Sequence, residues 1–259
     1  MTRSARCDHT HALGSRHVSD EPLAWLVSLE GVSSAFAATR DGIDVMLRDR
    51  GLRRTAPDAT GESLLRGAHA SAVLEGSSST LAEVRESGGD AIAQDAVRLS
   101  AELLSLVPVL RSTPLQAFAR LHALAAVGTL PDERLGRPRG PHEVERLRGL
   151  ANLLIHDRST PALILASIVH ADLATVAPFD SHNGIVSRAA ERLVLVARGV
   201  DPTSLVVPEA GHLALRDAYE SNLRGYASGQ RSGIHSWLLY AAEAFAAGAE
   251  ASPLRRDVL

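Results

Sequence analysis

Ala177-Pro178-Phe179-Asp180-Ser181-His182-Asn183-Gly184-Ile185-Val186-Ser187-Arg188 is the stretch on which the reading of this chain turns. Pro178 and the Asp180-Ser181 pair interrupt an apolar run. Asn183-Gly184 then supplies a turn with exposed backbone N–H groups, and Ile185 to Arg198 resumes a helical pattern that Gly199 closes. Upstream, Thr160 reads as an N-cap and Pro161 as the first residue of a helix that runs to Val176, almost wholly apolar and therefore buried. A turn of this kind leading into a helix is a ready anion site, because the first amides of a helix have no partner inside it. Arg188 lies about one turn into that helix, where its guanidinium reaches the same anion.

Outward from this centre the organisation is helical throughout. Residues 1–20 form a polar arm expected to be disordered. Residues 21–60 hold N-terminal helices up to Arg50 and a charged linker, Leu52 to Thr60, with Pro57 inside it. Residues 61–250 make the main helical domain: Glu62 to Leu74, Ala91 to Val107 stopped by Pro108, Leu115 to Val127 stopped by Gly128, and Glu143 to Ile155. The two central helices follow, then one from about His212 to Tyr226 and one from Ile234 to Ala249. Gly128 to Pro141 is a Pro/Gly/Arg-rich connection, and no repeat divides the chain into two folding units.

Composition narrows the function classes. The 259 residues are 45% apolar, enough for a sizeable core. With two Trp, three Tyr and four Phe, that core must be filled by Ala, Leu and Val in closely packed helices. All 27 basic residues are arginines, which excludes a P-loop lysine, a Schiff-base lysine and a lysine general base. A net charge of −3 gives no general attraction to nucleic acid or anionic membranes, so neither is expected as a partner. The single Cys7 excludes an internal disulfide and a thiolate zinc cluster, and Cys7, Asp8, His9 and His11 read as part of the polar arm. Without a spanning apolar stretch or a secretory h-region, the expected location is cytoplasmic.

The central stretch resembles the active-site motif of the Fic family of nucleotide-dependent transferases, His-Pro-Phe-x-(Asp/Glu)-Gly-Asn-Gly-Arg-x-x-Arg, and matches it at Pro178, Phe179, Asn183, Gly184 and Arg188. His170, seven residues before Ala177, stands where many members place a histidine. Leu215-Arg216 through Tyr219 to Leu223, and Trp237 to Tyr240, are similar to the closing helices of the family core. Far upstream, Ser71-Ala72-Val73-Leu74-Glu75-Gly76 resembles the family's inhibitory motif, (Ser/Thr)-x-x-x-Glu-(Gly/Asn). The resemblance implies an all-α, Fic-like core with additional N-terminal helices, and transfer of AMP from ATP to protein hydroxyls as the family activity. It implies that Asn183, Gly184 and Arg188 bind the nucleotide, and that Glu75 pairs with Arg188 to block a productive phosphate pose.

The departures fall on the reactive positions. The motif histidine, which the resemblance makes the general base, is Ala177, and a missing base typically costs about 10²- to 10⁴-fold in rate. The metal-holding acid is Ser181, the loop glycine is His182 and the first arginine is Ile185. Three readings stay open. One is a degenerate, impaired member that binds a nucleotide, ATP with Mg²⁺ being the family's choice, or a protein partner. A second is an active transferase in which His182 and Asp180 serve as relocated base and metal ligand. The third is a structural or interaction protein in which Arg188 ties two helices together and His170 is a core histidine. No metal ligand set and no oligomeric state are assigned.

Overall fold

The apolar periodicity resolves into twelve α-helices among the described residues, which are 22–48 and 56–255 of the computed structural model. In chain order they are α1 (Val32–Leu47), α2 (Ala56–Leu74), α3 (Leu81–Arg85), α4 (Ala91–Glu102), α5 (Val107–Ser112), α6 (Pro114–Ala126), α7 (Pro141–His156), α8 (Ala162–Val176), α9 (Asn183–Ala197), α10 (Pro208–Ala214), α11 (Arg216–Ala227) and α12 (Arg231–Glu250). Short 3-10 turns lie at Ala24–Ser28, Leu103–Leu106 and Asp132–Arg134. No strand occurs among the described residues, and the 128–140 connection is carried by turns. The polar arm with its Cys7 to His11 cluster, and the linker from Leu52 to Thr55, fall outside the described residues.

α8 and α9 pack against each other along their lengths and form the middle of the molecule. α8 is largely apolar and buried from Leu163 to Ala171, and α9 buries twelve consecutive residues, Ile185 to Val196, so both are enclosed by neighbours. α12 runs beside α1, α10 and α11, while α2 contacts α4, α9 and α10. Few aromatics means close approach. A Cβ on Gly211 of α10 would lie 2.0 Å from the Ala244 carbonyl of α12, so only glycine permits that crossing. Trp237, fully buried on α12, donates its indole N–H to the Ser167 carbonyl at 3.0 Å and ties α12 to α8.

Four local expectations are corrected. Pro57 lies in the first turn of α2, which begins at Ala56, and Pro108 lies in the first turn of α5. Pro57 was expected within a linker and Pro108 at the end of a helix. A proline needs no N–H bond in that turn and its fixed φ suits helix entry, so each starts a helix. Thr160 does not cap α8. Its hydroxyl donates to Asp157 Oδ2 at 2.6 Å, and Pro161 occupies the cap position without a side-chain bond. The expected helix from His212 to Tyr226 divides at Leu215, whose φ of −112° and ψ of 34° leave the helical region.

Candidate functional site

α2 runs antiparallel along α9, so that its C-terminal end lies beside the N-terminus of α9. α2 stops because Gly76 takes a left-handed φ of 95°, while the amide of Ser77 bonds back to Ala72 and that of Gly76 to Val73. This stop aims Glu75 at α9. The Glu75 carboxylate accepts from Arg188 Nη2 at 2.7 Å, and the same guanidinium donates from Nε to Ser71 Oγ at 2.9 Å and from Nη2 to the Ser71 carbonyl at 3.1 Å. Its Nη1 donates to the Tyr219 hydroxyl at 3.1 Å. Arg188 is buried and Glu75 is a third exposed. Burial works against the arginine's charge, and the Tyr219 oxygen with the Glu75 carboxylate more than offsets it, so Arg188 is held above its ordinary value.

Glu75 also lies directly on Gly184, where an added Cβ would come 1.9 Å from the carboxylate oxygen. The first bond of α9 runs from the Val186 amide to the His182 carbonyl, so the amides of Asn183, Gly184 and Ile185 have no partner within the helix. A carboxylate at the end of its own helix is unfavourably placed, but here it faces the positive end of another. The Glu75 carboxylate therefore lies beside the turn that the sequence marks as a candidate anion site.

The connecting loop is held by internal bonds. Ala177 and His182 both adopt left-handed backbone, with φ of 46° and 56°. Asn183 accepts from the Phe179 amide and donates to the Phe179 carbonyl, each at 2.9 Å, which closes the loop on itself. Phe179 is buried and stacks on His122 with ring centroids 4.3 Å apart. Asp180 accepts from Arg134 Nε at 2.7 Å. Ile185, at the motif's first arginine, is part of the core. His182 shares a 2.7 Å contact between Nδ1 and Ser181 Oγ, and a 3.0 Å contact between Nε2 and Asp95 Oδ2. With Nε2–H donating to Asp95, Nδ1 accepts a hydrogen bond from the Ser181 hydroxyl, which is how an imidazole base is oriented. Asp180 and His182 thus share a loop but point to different partners.

Searched against solved structures, the chain aligns with a Fic family protein from Desulfovibrio desulfuricans G20 at a TM-score of 0.70 and 17% identity, over 85% of this chain and 74% of that one. It aligns with Fic-1 from C. elegans at a TM-score of 0.66 and 16% identity, over 85% and 71%. A substituted form of the same C. elegans protein gives 0.62 and 17%, over 82% and 69%. The fold is Fic-like. No protein-family model matches the sequence, and no curated protein matches it.

Beneath the Fic-like loop lies a buried polar cluster that sequence reasoning missed. His170 of α8, Glu191 of α9 and His212 of α10 are all inaccessible to solvent. His212 Nε2 lies 2.8 Å from Glu191 Oε2 and its Nδ1 lies 2.7 Å from the Tyr240 hydroxyl. His170 Nε2 lies 2.9 Å from the Tyr219 hydroxyl, the group that also receives Arg188. Burial pushes His170 down to about 4 against the pull of Glu191, which leaves the imidazole neutral. Burial pushes Glu191 up, and the two rings bring it back below the ordinary carboxylate range. Next along the chain, Arg192 donates to Glu209 at 2.8 Å, both buried. Three charged residues inside the apolar pattern of α9, Arg188, Glu191 and Arg192, were the available sign of this layer.

Proposed function

We propose that this chain is a Fic-like protein that does not run AMP transfer and whose anion site is a latch: Glu75 holds Arg188, and a phosphate-bearing ligand, a nucleotide by analogy with the fold, binds by displacing it. The observation that carries the reading is the Glu75 carboxylate, 2.7 Å from Arg188 and seated on Gly184. A helix N-terminus and a guanidinium already committed to one carboxylate are the groups a terminal phosphate would use. Ala177 offers no base, Ser181 no charged metal ligand, and Asp180 is engaged by Arg134.

Calorimetry with ATP on the wild type and Glu75→Gly, together with a labelled-ATP transfer assay, tests this. The expected result is tighter nucleotide binding by Glu75→Gly with no label incorporated. Absence of binding in both forms would leave only the structural role of Arg188. One observation favours a second reading: His182 is oriented by Asp95 as a base would be. On that reading Glu75→Gly labels itself, and His182→Ala in the same background abolishes the label. Restoring the motif with Ala177→His, Ser181→Asp, His182→Gly and Ile185→Arg gains activity if only the reactive groups have been lost.

A further inference from the structure

We infer that His170, Glu191 and His212 form a structural site for a divalent metal ion of the zinc type, enclosed where α8, α9 and α10 meet. The inference is independent of the latch and of any nucleotide. One ligand atom from each residue lies within 4.8 Å of the others, and all three side chains are fully buried. Two imidazoles and a carboxylate are the donor types zinc takes, and a carboxylate using both oxygens completes four donor atoms.

Two further observations point to an ion rather than to hydrogen bonds alone. His170 Nδ1 and Glu191 Oε1 lie 3.1 Å apart, yet they are not aligned as donor and acceptor, and both atoms are without a hydrogen-bond partner. Two buried lone-pair atoms left in this way are costly unless something sits between them. The second is charge. The buried arginines of α9 are committed elsewhere, Arg188 to Glu75 and Arg192 to Glu209, so no guanidinium neutralises the Glu191 carboxylate. Among the described residues His212 is the one group hydrogen-bonded to the Glu191 carboxylate, and in the inferred site a divalent cation takes over the neutralising role.

The outer ring nitrogens are already served. His170 Nε2 meets the Tyr219 hydroxyl and His212 Nδ1 meets the Tyr240 hydroxyl, at 2.9 and 2.7 Å. An N–H on each outer nitrogen, donated to a tyrosine oxygen, leaves the inner nitrogens as lone-pair donors, the arrangement that orients metal-bound histidines. Because the ligands have no solvent exposure, the ion is acquired during folding and joins three consecutive helices.

The test uses full-length, tag-free protein carrying Cys7→Ser, His9→Ala and His11→Ala, so that metal on the N-terminal arm is not counted. Elemental analysis after expression in zinc-supplemented medium is expected to give about one metal per chain. Protein unfolded in denaturant with chelator and refolded with Zn²⁺ should melt at least several degrees higher than protein refolded without it. Refolding with Co²⁺ should give the intense visible bands of a tetrahedral site. Glu191→Gln and His212→Gln should lose both the metal and the Zn²⁺-dependent shift. Should those variants fail to fold, the Co²⁺ spectrum and metal content of the parent protein still decide. A parent protein free of metal, with the same melting temperature after refolding with or without Zn²⁺ and no Co²⁺ bands, would overturn the site and leave a hydrogen-bonded cluster only.

Discussion

The loop from Ala177 to Gly184 and the helix face beneath it, from Gly184 to Arg192, differ in why their residues are there. The motif matches in loop and helix are engaged inside the protein. Phe179 is buried against His122, Asn183 clamps Phe179, Gly184 makes room for Glu75, and Arg188 binds Ser71, Glu75 and Tyr219. The departures lie at Ala177, Ser181, His182 and Ile185, where the resemblance calls for groups that meet a ligand. Residues with a partner inside the protein hold the frame without any chemistry. On the proposed reading, residues whose only partner is a ligand are free to change once that chemistry is gone.

The sharpest way to break this contrast is Arg188→Ala. If the guanidinium serves the fold, its loss leaves the Ser71 hydroxyl and a part-buried carboxylate without their partner, and unfolding stability falls by about 3–5 kcal/mol. Denaturant titration measures it. Arg188→Lys should recover little, because a point charge cannot reach Ser71, Glu75 and Tyr219 together. A loss below about 1 kcal/mol would mean that Arg188 is held for a ligand after all.

Gly184→Ala probes the contact from the other side. Its Cβ would meet the Glu75 carboxylate at 1.9 Å, but that group ends a flexible, third-exposed side chain and can swing away. The expected cost is about 2 kcal/mol, smaller than that of Arg188→Ala because Ser71 and Tyr219 still bind the guanidinium. In a Glu75→Ala background the same substitution should cost close to nothing, and the difference between the two costs is the coupling energy. Additive losses would show that Gly184 is required for another reason.

How much of this was legible in the sequence follows the same division. The pairing of Glu75 with Arg188, 113 residues apart, is what the resemblance of two separate motifs to the Fic family implies. The all-α class came from helical periodicity and the shortage of aromatics. The cluster of His170, Glu191 and His212 was not legible, because each residue sits alone in an apolar or mixed pattern and only the packing of three helices joins them. Asp95 was missed for the same reason. It lies on α4, 87 residues from His182, and nothing in its local sequence marks it as an orienting carboxylate. Pro57 and Pro108 were misread because a proline signals both the end and the start of a helix, and only the residues that pack after it decide.

His122 gives the smallest and most specific effect. It is fully buried beneath the loop, its Nδ1 accepts from the Gly136 amide at 2.9 Å, and its ring supports Phe179. Burial, with a smaller push from His182 and against the pull of Asp180, lowers it from 6.5 to about 4. A depressed histidine is neutral in the folded chain while the unfolded chain takes up a proton, so stability is complete above about pH 6.5 and declines as pH falls toward 4. The loss amounts to roughly 1–2 kcal/mol. His122→Gln keeps an acceptor for Gly136 without a titrating group. Stability measured from pH 7.5 to 4 should therefore fall less steeply in His122→Gln than in the wild type, with the two curves parallel above about pH 6.5. If the curves stay parallel down to pH 4, the ring beneath Phe179 already carries a proton in the folded state, and the loop rests on a charge rather than on an apolar stack.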